Sequence, residues 1–130
     1  MEIKRIINTD TLVFRGFMNE TNDCSVRAFA AIEGLDYQTA RAIFRRELGR
    51  KNGKGVKQNM LQNFLMSWGF ENVNGMKSKT LNQALKELDP KATYYVVVTN
   101  HAFTIKNGVV YGNKNDASRL RKRVQIIFKK

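Results

Sequence analysis

The sequence predicts an α+β protein. Helical patterns fill the first half of the chain, and runs rich in Val, Ile, Tyr and Phe fill the second. Between two of those runs stands Asn107-Gly108, a strong hairpin signal because both central residues of a type I′ turn need positive φ. Helices first and an antiparallel sheet afterwards is the α+β order. A length of 130 residues suits one domain, 1–130, with a modest but sufficient core.

In chain order, Glu2 to Ile7 and Thr11 to Phe14 read as short strands, followed by Gly16. The first helix begins near Cys24, with Thr21 or Asn22 as N-cap. Val26, Phe29 and Ala30 share one face, and Glu33-Gly34 ends the run. Asp36 caps a second helix, Tyr37 to Leu48, whose buried stripe is Ala40, Ile43, Phe44 and Leu48. The loop Gly49 to Gly55 superficially resembles a phosphate-binding loop. Its spacing is one residue short, and Gly55 stands where a Ser or Thr should bind Mg²⁺, so that reading is rejected. Lys57 to Trp68 carries Leu61, Phe64, Leu65 and Trp68 at the i, i+3, i+4, i+7 positions of a third helix. Phe70 to Gly75 reads as a short edge strand. Thr80 to Gln83 has capping-box chemistry, opening a short helix through Leu81, Ala84, Leu85 and Leu88 that stops at Asp89-Pro90. Strands then follow from Thr93 and His101 and beyond Gly108, with a last one over Lys122 to Phe128.

The only cysteine, Cys24, heads the first helix, where backbone N–H dipoles favour negative charge and make a thiol easier to ionise. A thiolate in that position is what nucleophilic catalysis needs. The only histidine, His101, opens a strand far along the chain. One cysteine heading a helix and one histidine heading a strand is a more specific combination than either alone.

Cysteine at the start of the first core helix, histidine opening a later hairpin, and Asn or Asp just beyond it resemble the papain-like cysteine peptidases. Asn22-Asp23-Cys24-x-x-Arg27-Ala28 and His101 to Tyr111 carry this likeness to the smaller members. Among these are double-glycine leader peptidases and short bacteriophage proteins. The resemblance spans roughly Met18 to Asn115. It implies a papain-like fold, N-terminal helices packed on a C-terminal antiparallel sheet. The implied activity is a cysteine hydrolase with a Cys-His-Asn type site and no cofactor, acting on a protein or peptide substrate. The residue that orients the histidine lies, in that pattern, near the end of the next strand. Continuing the hairpin ladder sets His101 opposite residue 114, which favours Asn113, with Asn115 and Asp116 as alternatives. Related phage sequences often hold Asp where this chain has Gly112. The family's oxyanion donor is a Gln upstream of the cysteine; no Gln precedes Cys24, and Asn19, then Asn22, are the available amides.

A formal charge of +12 is large for this length. Arg41, Arg45, Arg46, Arg50 and Lys54 form one basic group, and Arg119, Arg121 and Arg123 belong to another. Such an excess favours salt-sensitive contact with nucleic acid or an acidic protein. No helix-turn-helix, zinc-ligand or aromatic RNA-binding motif accompanies it. One Cys and one His far apart do not make a metal site. No apolar run is long enough to span a bilayer, and no signal-peptide pattern opens the chain. A lone cysteine fits a reducing cytosol, which for a phage protein is the host cytoplasm, with the virion as the other location. Two functions follow as expectations. One is a cysteine hydrolase cleaving, deamidating or transferring an amide-linked acyl group. The other is a non-catalytic basic protein using the same scaffold to bind nucleic acid or an acidic partner.

Overall fold

The computed structural model describes all residues, Met1–Lys130. Its helices are α1 (Cys24–Glu33), α2 (Tyr37–Leu48), α3 (Gln58–Ser67) and the short α4 (Leu81–Leu85). Its strands are β1 (Arg5–Asn8), β2 (Glu71–Asn72), β3 (Thr93–Val98), β4 (His101–Lys106), β5 (Val109–Gly112) and β6 (Val124–Lys129). They form one six-stranded sheet in the order β1-β5-β4-β3-β6-β2. The architecture is α+β, as the sequence predicts, but the sheet is mixed. β1 pairs with β5 in parallel, while the other pairings are antiparallel. An N-terminal strand therefore completes a sheet expected from the C-terminal half alone.

Both faces of the sheet are covered. Helices α1, α2 and α3 bury Phe29, Phe44, Phe64 and Leu65 against Tyr95, Val97, Ala102 and Phe128 on one face. On the other, Met76, Leu81, Leu85 and Leu88 lie over Val96, Val98, Ile105 and Ile127. Covering both faces explains why β3 reads as a continuous apolar run and not as an alternation. In β6 a register irregularity opposite Val97 and Val98 lets Val124 face one core and Ile126 the other, so the two do not share a face as simple alternation suggests.

Local chemistry explains most boundaries. Asp36 caps α2, its carboxylate accepting the Thr39 N–H at 2.7 Å, and Thr80 and Gln83 form the reciprocal capping box of α4. Asn107 and Gly108 have φ of 49° and 78°, and Lys106 pairs Val109 and Ile105 pairs Val110, the predicted register. Three expectations need correction. Thr11 to Phe14 is a set of turns with Leu12 and Val13 exposed, because β1 already occupies the sheet edge beside β5. The N-cap of α1 is Asp23, not Thr21 or Asn22, and its side chain makes no cap bond because ion pairs engage it. Helix α4 ends at Leu85, although Leu88 is still buried in the same core.

Candidate active site

Helix α1 is fastened to the sheet by a polar pair inside an apolar interface. Tyr95 and Thr104 are cross-strand partners on β3 and β4. The Tyr95 hydroxyl donates to the Ser25 carbonyl at 2.9 Å and the Thr104 hydroxyl to the Ala28 carbonyl at 2.7 Å. These bonds use the spare lone pairs of helical carbonyls. They hold the N-terminus of α1 over the start of β4, and so bring Cys24 to His101.

The two side chains border the same cavity, close enough that each shifts the other's ionisation. His101 Nε2 lies 2.8 Å from Asp116 Oδ2, which leaves Nδ1 for the thiol. The ring also stacks on Phe103, with centroids 5.9 Å apart. Asp116, the last of the three candidates for this position, is the acceptor that holds the imidazole. Asn113 Oδ1 instead accepts from Arg27 Nη1 at 2.9 Å, and Asn115 is exposed. The pairing of His101 with residue 114 does not form. The β4–β5 ladder ends before it, and the chain curls into a 3₁₀ turn, Asp116–Ser118, that returns the carboxylate to the ring. Asp116 Oδ2 also accepts the Asn113 N–H at 2.6 Å.

Gly112 has a spatial reason. A Cβ there would collide with the Asp116 carboxylate and approach Phe103 Cβ to 2.8 Å. The position must be bare so that the carboxylate four residues later can cross it.

Burial acts most strongly on the Cys24 thiol, and opposes its ionisation. The neighbouring His101 imidazole, the Ala102 N–H and the Arg27 charge together outweigh it, so the thiol lies below its ordinary range. Burial likewise opposes charging of His101, but the hydrogen bond to Asp116 and the neighbouring Cys24 thiol push its value up to about 9. The two shifts favour a thiolate–imidazolium pair and belong to the pair jointly.

Beneath the pair lies an ionic cluster. Asp23 accepts from Arg15 Nε at 2.7 Å, Arg27 Nε at 3.0 Å and the Tyr37 hydroxyl at 2.8 Å. Arg27 also donates to Thr9 Oγ1 at 2.8 Å, tying the N-terminal segment and the Asn113 loop to α1. Sequence reasoning did not assign Asp23 or Arg27 a role, although their i, i+4 spacing on a helix was a signal.

Of the two amides considered for the oxyanion, Asn19 is exposed and does not line the cavities at Cys24. Asn22 does line them, and its Nδ2 donates to the Gly53 carbonyl at 3.0 Å. Asn100, unassigned from sequence, sits at φ 60° in the β3–β4 turn and borders the same space. No side chain caps the first turn of α1.

The basic groups divide. Arg50 is buried, and with Arg41 it holds the buried Glu20 carboxylate, at 2.9 and 2.8 Å. These two are internal partners and not free surface cations, whereas Arg45, Arg46, Lys54, Arg119, Arg121 and Arg123 are exposed.

Cys24 and His101 border a cavity of about 470 Å³ whose apolar part includes Val56, Leu61 and Val97. A smaller depression reaches the same pair from the side of Asp10, Arg27 and Asn113. No helix is long and apolar enough to cross a membrane. In comparisons with known proteins, the chain matches no family model, no curated protein and no solved structure.

Proposed function

We propose that this chain is a cysteine hydrolase acting on amide-linked acyl groups, built on a reduced papain-like scaffold of the kind its motifs resemble. The observation that carries this reading is the meeting of Cys24 and His101 at one open groove, with Asp116 Oδ2 2.8 Å from His101 Nε2. Nucleophile, base and orienting carboxylate stand in the relation that covalent catalysis requires.

In this mechanism the Cys24 proton resides on His101, and the thiolate attacks the amide carbonyl carbon. The carbonyl π electrons move to oxygen, and the resulting oxyanion is met by the Cys24 backbone N–H at the uncapped start of α1. Collapse breaks the C–N bond, and His101 gives its proton to the leaving nitrogen. His101 then takes a proton from water, which attacks the thioester and releases the acid and the thiol. With water the outcome is peptide cleavage or deamidation; with an amine in its place it is acyl transfer. Asp116 keeps one ring nitrogen engaged and balances the imidazolium charge. No cofactor enters any step.

The test is alkylation of Cys24 by iodoacetamide across the pH range, followed by mass spectrometry. At about pH 6 an ordinary thiol is well under 1% ionised, and Cys24 should react about tenfold faster than such a thiol. His101→Ala should return it to the ordinary rate. A wild-type rate equal to that of a free thiol, or one unchanged in His101→Ala, would sink the hydrolase reading. The non-catalytic basic binder would then be the better description. One observation favours it: the only side-chain amide close upstream of Cys24 at the groove, Asn22, is already bonded to Gly53.

A further inference from the structure

The cavity beside Cys24 does not end at its apolar floor. It meets a second depression at Gln58, which continues along Asn72, Val73 and Lys77 to Gln125 and Ile126. Val97 in the first and Ile126 in the second are cross-strand partners, so the sheet forms one continuous wall. The result is an elongated groove with the Cys24–His101 pair at one end.

The charge along this groove is predominantly positive, with Glu71, beside the lining residue Asn72, as the exception. Neither depression is lined by Asp or Glu, and Lys77 lines the far one. In the loop leading into α3, Lys54 and Lys57 line an adjoining depression that shares Gly55 and Val56 with the first. On the opposite wall, Lys122 Nζ lies 3.4 Å from the Thr99 carbonyl, next to the lining residue Asn100. None of these four lysines has a carboxylate partner. Arg15, Arg27, Arg41 and Arg50, by contrast, are all paired with acidic side chains. The four lysines around the groove are therefore unpaired and outnumber the single exposed carboxylate there, Glu71, while the arginines beneath the site are neutralised internally. Field lines from such a rim converge in the concavity and attract anions to it.

The lining identifies the kind of anion. No Phe, Tyr or Trp lines either depression, and the one ring that does, the His101 imidazole, is stacked on Phe103 and held by Asp116, so there is no series of platforms for successive bases. Instead Gln58, Gln62 and Asn100 offer paired donors and acceptors, the chemistry that an extended peptide backbone uses, and Asn22 and Gln125, each with its amide nitrogen bonded internally, add acceptors. Val56 and Leu61 supply an aliphatic surface close to the sulfur.

We propose that the groove from Cys24 past Gln58 to Lys77 selects an extended acidic peptide. An aliphatic side chain rests on Val56 and Leu61 and carboxylates face Lys54, Lys57, Lys77 and Lys122. The proposal rests on the hydrolase reading only for what happens to the bound amide; peptide selection is measured separately.

The experiment uses the full chain carrying Cys24→Ala, to prevent turnover, and fluorescence anisotropy of a fluorescein-labelled peptide. The peptide has a central Val-Ala pair with glutamates on both sides; its control has glutamines in their place. At low salt the glutamate peptide should bind about tenfold or more tighter than the glutamine peptide. Lys57→Glu with Lys77→Glu should abolish that preference. Arg45→Glu with Arg46→Glu, an equal charge change on the exposed face of α2, should leave most of it. Equal binding of both peptides, or equal loss in both charge-reversed pairs, would overturn the proposal. So would an oligothymidylate of matched charge that binds as tightly and loses affinity in the lysine pair, which would make the groove a nucleic-acid site. Selective peptide binding alongside an unactivated Cys24 in the wild-type alkylation assay would overturn the hydrolase reading and leave this one standing.

Discussion

Asp116 occupies space that only a glycine at position 112 leaves open, and this makes two residues one functional unit. Gly112→Ala should cost about 1–3 kcal/mol of stability by overpacking. It should also displace Asp116, so that alkylation of Cys24 at about pH 6 slows while total thiol content is unchanged. Asp116→Asn keeps the shape but removes the charge that supports His101 in its protonated form. The alkylation profile should move to higher pH in that variant, toward that of an ordinary thiol. Turnover should fall as pH rises through about 9, where His101 loses the proton it gives the leaving nitrogen. A rate still rising above that value would contradict the acid role. Sequence reasoning found Cys24 and His101 because each is the only residue of its kind. It ranked Asn113 above Asp116 because a straight ladder was extended past the point where the strand ends.

At the scale of elements, the join between α1 and the sheet decides whether the site exists. Each hydroxyl of the Tyr95–Thr104 pair is buried and bonded to a helical carbonyl, and loss of one should cost about 1 kcal/mol. Tyr95→Phe and Thr104→Val together should lower the urea midpoint without changing the denaturant slope. The double variant should also slow Cys24 alkylation more than either single one. Four rings then hold α1 to α2 and α3: Phe29 packs on Phe44, Phe64 and Trp68 with centroids 5.1–5.4 Å apart. At the other end of the molecule, Gly108 needs both its positive φ and its bareness, since a Cβ would stand 2.9 Å from the Glu2 carbonyl. The hairpin signal in the sequence thus marked a second constraint as well, the close approach of the N-terminal segment.

Over the whole molecule, the excess positive charge is arranged in two layers. The inner layer is neutralised around two buried carboxylates, Asp23 and Glu20. Burial opposes ionisation of Glu20, but Arg50, Arg41 and the Gly53 N–H hold it down at about 2, and Asp23 is likewise held below its ordinary range by Arg15, Arg27 and Tyr37. Because both folded-state values lie below the unfolded ones near 4, the stabilisation is full above that range and is lost as pH falls through it. Glu20→Gln should cost about 3 kcal/mol or more at neutral pH, since it strands two guanidinium groups. Its urea midpoint should also fall less steeply than that of the wild type between about pH 5 and 2. A wild-type midpoint flat across that interval would contradict the buried pairing. The outer layer is the exposed lysines and arginines, those beside the groove among them, and its effects should fade with added salt, as exposed charges are screened.

Periodicity, capping residues and turn chemistry act over a few residues, so the sequence by itself determined three helices, the capping box, the hairpin and the two candidate residues Cys24 and His101. Which carboxylate reaches His101, which arginines are internal, and where a mixed sheet takes up an N-terminal strand depend on residues brought together across the chain. Arg50 finds Glu20 and Arg27 finds Asn113 only after the helices have docked. A charge reads the same in sequence whether it will meet water or a buried carboxylate, because that distinction arises from desolvation, and desolvation comes only with packing.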